Sequence, residues 1–217
     1  MKAIVEPEAI KITRLFTTPI ASIVHPLARI LNPQLMEIIR ERAENDSGSS
    51  HSNQGGWQST GDFKEWGGIQ GQELHEFASK AASELTAVHS EQFGLREAQF
   101  PWVSNSWANV NHPGDSNSVH GHAGAFWSAV YWVDDGGRQE DPSIGGDLTF
   151  IDPRGLMPSV YNPSLRMKIE GCLSAGCNTS FAATSGMLIL FPSWLMHSVE
   201  VFRGHRPRIS IAFNFGL

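Results

Sequence analysis

The chain has 217 residues, a length that suits one domain. Lysine and arginine number 16 against 22 aspartates and glutamates. The resulting net charge of −6 argues against general nucleic-acid or membrane-surface binding, both of which want basic patches. No apolar run is long enough to span a bilayer, and Met1-Lys2-Ala3-Ile4-Val5-Glu6 lacks the charged-then-apolar pattern of an export signal. With only two cysteines besides, the cytoplasm is the expected compartment.

In chain order, residues 8–31 mix β-branched and apolar residues with Pro19 and Pro26, and read as a strand followed by a turn. Asn32-Pro33 then reads as an N-cap with proline at the first helical position. Leu35, Ile38, Ile39 and Arg42 follow at helical spacing, so a helix is expected to about Glu44. Residues 45–61, rich in Ser, Asn and Gly around Gly55-Gly56-Trp57, read as a loop. Leu74, Phe77, Ala78, Ala81, Ala82, Leu85 and Val88 give Ile69–Glu91 a helical period.

From Phe100 the character changes. Short segments rich in Val, Ile, Phe and Trp alternate with Gly, Pro, Asn and Asp. Candidate strands are 101–111, 118–122, 127–133, 147–151, 166–173, 178–184, 187–191, 197–202 and 206–215. About eight short strands separated by turn signals suggest a jelly roll or sandwich. The expectation is mainly β (α+β), in one domain: a helical buttress over about 1–95 packed on a β core over about 96–217. Cys172 and Cys177 enclose Leu-Ser-Ala-Gly and read as small residues in a turn between strands. A metal or redox pair lacks its CxxC spacing.

His120-Gly121-His122 carries the chemistry. Residues two apart in a strand share a face, with Cα atoms roughly 6.5 Å apart, so two imidazoles there can reach one ion. His197, delivered by the turn after the buried strand Gly186–Phe191, would add a third and make a facial cap with open positions opposite. An isolated His-x-His is a weak motif, and His25, His51, His75, His89 and His205 read as structural or surface residues. On the last strand Arg206, Arg208, Ser210, Ala212 and Asn214 share one face, while Ile209, Ile211, Phe213 and Phe215 share the other. The apolar set should pack on the helices and the polar set should face a wet cavity. A buried arginine there is costly unless it meets an anion, and a carboxylate held by the guanidinium fork and Ser210 would satisfy it. The bland alternative is a surface ion pair on a solvent-facing strand. Trp57, Trp102, Trp107, Trp127, Trp132 and Trp194 lie in or near these segments, with core packing as the alternative to a pocket role.

These residues resemble those of the iron(II)/2-oxoglutarate-dependent dioxygenases over roughly residues 105–215. Asn111-His112-Pro113-Gly114 followed by His120-Gly121-His122 resembles the prolyl-hydroxylase-type segment Tyr-x-x-Gly then His-x-Asp. Gly145-Gly146-Asp147-Leu148-Thr149-Phe150 resembles the GG-x-L/T-x-F strand, His197 the distal histidine, and Arg208-Ile209-Ser210 the Arg-x-Ser that grips the C5 carboxylate of 2-oxoglutarate. Ser52-Asn53-Gln54-Gly55-Gly56-Trp57, Asp152-Pro153-Arg154, Phe191-Pro192-Ser193-Trp194 and Arg208–Asn214 look more closely like an uncharacterised bacterial and phage subfamily of these oxygenases.

The resemblance implies a double-stranded β-helix, a jelly roll related to cupins. It implies iron(II) on His120, His122 and His197, and 2-oxoglutarate held by Arg208 and Ser210, with Arg206 as the substitute. Asn109 and Asn111, on one strand face with Trp107, could bond cosubstrate or substrate. Two departures stand out. His122 takes the place of a carboxylate, and Asn111 that of a tyrosine. Three arrangements follow: a three-histidine site, a two-ligand site with His122 outside it, or a carboxylate from elsewhere such as Asp115 or Asp147. A cupin-type three-histidine dioxygenase without 2-oxoglutarate, and a non-catalytic metal-binding jelly roll, remain the alternative functions. Small molecules or peptides suit the acidic chain as substrates. The polar loop from Asn45 to Lys64 is expected over the mouth of the barrel, with Trp57 facing the cavity.

Overall fold

A computed structural model of the chain describes residues 10–155, 162, 164, 165, 168, 169 and 178–217. Both cysteines, and the expected strand at 166–173 apart from residues 168 and 169, lie outside the described residues. The chain enters through a short edge strand, β1 (Ala21–Val24), and a helix, α1 (Ala28–Asn45). Two two-residue strands follow, β2 (Asn53–Gln54) and β3 (Trp57–Gln58), then the helices α2 (Phe63–Trp66) and α3 (Gly68–Glu84). A small hairpin, β4 (Val88–Ser90) and β5 (Gly94–Arg96), leads to the main strands.

Those strands are β6 (Val103–Asn111), β7 (Ser116–His120), β8 (Trp127–Asp134), β9 (Leu148–Phe150), β10 (Thr179–Phe181), β11 (Met187–Pro192), β12 (His197–Val199) and β13 (Arg208–Gly216). They divide between two antiparallel sheets, one ordered β1-β11-β8-β13-β6-β3 and the other β10-β9-β12-β7-β2. Successive strands from β6 to β9 switch sheets; β10 pairs with β9, and the returning β11, β12 and β13 switch sheets in turn, β12 lying between β9 and β7 and β13 between β8 and β6. This is the jelly-roll winding.

Side-chain alternation assigns each strand its two faces. In β11, Leu188 and Leu190 pack toward the helices, while Ile189 and Phe191 enter the space between the sheets. In β8, Tyr131 joins the first cluster and Trp132 the second. Strand β11 is therefore apolar throughout, and β8 is so from Ala129 to Val133. By contrast β13 is two-faced: Ile209, Ile211, Phe213 and Phe215 pack on Leu31, Leu35 and Ile39 of α1 and Leu74 and Ala78 of α3. Its opposite face, carrying Arg208 and Ser210, points between the sheets and forms the floor of the site.

Three expectations change in the structure. Helix α1 begins at Ala28, so Pro33 lies inside it rather than at its first position. The Asn32 side chain does not cap. It donates to Val133 O at 2.8 Å and accepts from Tyr131 Oη at 2.6 Å, tying the helix to β8. Helix α3 stops at Glu84, where Thr86 turns its hydroxyl back to Ala82 O, and the expected last turns become the β4–β5 hairpin. The polar loop is not wholly irregular. Gly55 and Gly56, at φ of 75° and 68°, turn the chain from one sheet to the other, so β2 pairs with β7 and β3 with β6.

Candidate metal centre

Strands β7 and β12 lie side by side, with His197 opposite His120 in register. Strand β7 ends at His120, so His122 does not extend it as the spacing suggested. The chain leaves the sheet at Gly121, where a side chain would press on Met196 Sδ at 3.1 Å. The His122 N–H then donates to Ser193 O at 2.9 Å, which returns its ring to the site by another route. Ring centroids stand 4.3 Å apart for His120 and His197, 5.1 Å for His120 and His122, and 5.2 Å for His122 and His197. One ligand nitrogen from each lies within 4.8 Å of the others. Three imidazoles so placed can hold one transition-metal ion.

Backbone carbonyls fix the tautomers. His120 Nδ1 meets Ser118 O at 2.8 Å, and His197 Nδ1 meets Leu195 O at 2.9 Å. A carbonyl only accepts, so each Nδ1 carries the proton and each Nε2 keeps its lone pair for a metal. His122 Nδ1 faces the Asn214 amide at 3.5 Å, and Trp107 tilts over its ring at 5.7 Å. Burial favours neutral imidazole in all three. It lowers His120, holds His122 at about 4 and holds His197 at about 3, the neighbouring rings pushing the last two the same way. Among the described residues no carboxylate belongs to the group. Asp115 accepts from the His112 N–H, and Asp147 is gripped by Arg138.

These shifts set a pH dependence. In the unfolded chain the histidines titrate near 6.5, whereas in the folded chain His122 and His197 stay neutral to about 4 and 3. Below 6.5 the unfolded state therefore binds more protons. The stability held by neutral burial is complete above pH 6.5 and is lost as pH falls toward the folded values. Denaturant midpoints of metal-free protein are expected to fall over that window, and His197→Gln to flatten the fall. An unchanged slope in the variant would contradict this.

A cavity of about 50 Å³ between the sheets joins the three histidines to Arg208, Ser210, Asn109 and Trp107. Arg208 is only 2% exposed. Its Nη1 donates to Asn111 Oδ1 at 2.8 Å, and its Nε has no partner among the described residues. Burial lowers it to about 10, partly offset by the nearby Asp147 charge, so the guanidinium is cationic at neutral pH. Arg206 lies elsewhere. It precedes β13, is half exposed, and stands 3.5 to 3.8 Å from the carboxylates of Asp134, Asp135 and Glu140. Pro207 and the start of the strand at Arg208 break the parity that grouped the two arginines.

Outside the histidines a cleft of about 680 Å³ is lined by Ser52, Gln58, Ser59, Asn105, Trp107, Ser118 and Asn214, among others. Part of the 45–64 loop thus forms its wall, as expected of that loop. Trp57 does not face the cleft. It pairs with Val110 across β3–β6 and shares that residue's inward face, so its Nε1 donates to Asp46 O and its ring meets Trp66, while Gln58 takes the cleft side with Asn109. Ser52, with its Oγ 3.4 Å from His120 Nε2, lines both cavities; the sequence reading did not single it out.

A family model described as "Putative 2OG-Fe(II) oxygenase" matches residues 105–214, which run from β6 through β13 and make up half of the chain. No curated protein matches it. Among solved structures, a prolyl-4-hydroxylase of Pseudomonas putida is similar at 18% identity and a TM-score of 0.58, over 93% of this chain and 94% of that one. A prolyl hydroxylase of Trichoplax adhaerens, in complex with a hypoxia inducible factor oxygen degradation domain peptide fragment, gives 12% and 0.60 over 91% and 83%. A non-heme alpha ketoglutarate dependent carbocyclase from nogalamycin biosynthesis gives 11% and 0.61 over 91% and 79%. At these identities the likeness is one of fold.

Proposed function

The chain belongs to the 2OG-Fe(II) oxygenase family, and from that membership we propose that His120, His122 and His197 hold its iron(II) while Arg208, Ser210 and Asn111 hold the far carboxylate of its 2-oxoglutarate. The observation that carries this reading is the bare Nε of a buried Arg208, on a cavity it shares with three histidines that each offer a ligand nitrogen to one point. A buried cation with an empty donor is costly until an anion meets it. Iron(II) with 2-oxoglutarate, when bound, supplies oxidation of a substrate C–H bond by dioxygen with release of succinate and carbon dioxide.

The chain's own residues do the rest. Ser118 O and Leu195 O orient two of the imidazoles, and Asn214 faces the third. Three neutral imidazoles bring no negative charge, so the metal's charge and that of Arg208 both remain to attract a dicarboxylate. Asn109 lines the same cavity and offers its amide to the cosubstrate. At about 50 Å³ this cavity is smaller than a five-carbon diacid, and Ser52 and Trp107 form the wall that it shares with the outer cleft. Among the described residues no Asp, Glu, Lys or Arg lines that cleft. A neutral portion of the substrate, from a small molecule or a peptide, suits it, meeting hydroxyls, amides, imidazoles and one indole. Among the described residues no helix is long and apolar enough to cross a membrane. The acidic chain and its two cysteines favour work in the cytoplasm on a substrate other than nucleic acid.

Anaerobic titration with iron(II), with and without 2-oxoglutarate, tests the reading. The expected result is a visible metal-to-ligand charge-transfer band that needs both. Stoichiometric iron binding with no spectral or calorimetric response to 2-oxoglutarate would instead support a three-histidine dioxygenase that does without it.

A further inference from the structure

The Gly145-Gly146-Asp147 turn runs against the arginine that the cosubstrate needs. Both glycines have positive φ, 68° and 78°. A side chain on Gly146 would come within 3.2 Å of Arg208 Cδ and 3.5 Å of its Nε. The backbone leading into Asp147 thus lies directly on the guanidinium, and Asp147 is itself buried at 8% exposure. The Asp147 charge acts on Arg208, and a carboxylate that reached its empty Nε would be a natural partner for it. Arg208 does not have it. Both Asp147 oxygens are taken by Arg138, whose Nε and Nη2 donate to Oδ1 and Oδ2 at 2.7 Å each. Arg138 reaches there from the Asp135–Asp141 turn after β8, where its N–H is held by Asp135 O. Asp141 and Glu200 act on Arg138 from farther off, but only Asp147 makes the two-oxygen fork with it. Arg138 and Asp147 cancel, and one positive charge is left facing the cavity.

We infer that Arg138 is a positioning residue for the cosubstrate: by holding both oxygens of Asp147 it keeps that carboxylate from occupying or neutralising Arg208, and so leaves Arg208 open to the far carboxylate of 2-oxoglutarate. This rests on the reading that Arg208 is the anchor. Without Arg138 a buried carboxylate is left without its fork, and its charge acts on Arg208 uncompensated. Whether Asp147 bonds Arg208 or merely repels the incoming dianion, 2-oxoglutarate binds more weakly. Removing the Asp147 charge as well lifts the competition.

The test is calorimetric binding of 2-oxoglutarate to anaerobic, iron(II)-loaded protein, with iron affinity measured alongside. Arg138→Ala is expected to weaken 2-oxoglutarate by about tenfold or more and leave iron affinity unchanged. Asp147→Asn alone is expected to bind at least as tightly as the wild type, and the Arg138→Ala/Asp147→Asn double variant to return to near the wild-type value. Arg138→Lys keeps the charge without the fork, is expected to fall between, and replaces Arg138→Ala if that variant does not fold. An affinity within twofold of wild type in Arg138→Ala overturns the inference, and so does a double variant as weak as the single one, which would mark a purely structural pair. Wild-type protein that binds iron but no 2-oxoglutarate would overturn the anchor reading first and this inference with it.

Discussion

Replacing His197 with alanine is expected to abolish stoichiometric iron(II) binding, and His120→Ala to do the same. Each is proposed to supply a nitrogen to the ion, and each is already oriented for it by a carbonyl on its Nδ1. Residues that merely orient a metal ligand cost about 10–100-fold when changed, so loss of the ligand itself should exceed about 100-fold. Equilibrium dialysis under anaerobic conditions reads this directly. His122 separates the models that the sequence left open. If three histidines hold the metal, His122→Ala joins the other two. If His122→Ala keeps full affinity, the ion rests on two histidines. His122→Asp installs the carboxylate of the wider family at this position, and in a three-ligand site it should keep iron where alanine loses it. Folding of each variant is checked by circular dichroism, since His197 packs against Phe191 and Phe150.

The parts of this molecule legible in its sequence are those whose two faces differ. Strand β13 could be read because Ile209, Ile211, Phe213 and Phe215 alternate with Arg208, Ser210 and Asn214, and the sheet honours that alternation. Arg206 was placed wrongly because parity holds only inside a strand, and this one begins at Arg208. The start of α1 was hidden for a different reason. Asn32-Pro33 has the chemistry of an N-cap, but tertiary partners on β8 outcompete the local role. Trp57 lies in a two-residue strand, too short for a pattern, and only its pairing with Val110 sends it toward the core. His122 joins the histidine cluster although its strand stops at His120, so the residues of the His-x-His pair do come together, by a backbone path other than the one their spacing implied. Ser52 opened a stretch quoted for its likeness to a subfamily, with nothing in it to give the serine a role. Asp147 was read inside a strand motif and as a spare carboxylate, and its partner Arg138 comes from nine residues upstream across a turn.

Arg208→Ala is expected to weaken 2-oxoglutarate by about 2–4 kcal/mol, or about 30- to 700-fold, with iron affinity nearly unchanged. The size follows from what is lost: a charge-assisted pair to a carboxylate inside a buried cavity, where screening by water is weak. Arg208→Lys should recover part of the binding, because it restores charge without the planar fork that meets a carboxylate and Asn111 together. Arg206→Ala serves as the control. Its side chain is half exposed beside Asp134, Asp135 and Glu140, and ion pairs of that kind contribute little. A large loss in Arg206→Ala with none in Arg208→Ala would overturn the anchor assignment. Stability separates binding from packing. A buried guanidinium whose Nε is unpartnered burdens the cosubstrate-free fold, so Arg208→Ala should leave the melting temperature of the free protein nearly unchanged while removing most of the rise that 2-oxoglutarate gives the wild type. A variant that melts far below the wild type with no ligand present would instead show Arg208 to be chiefly a structural residue.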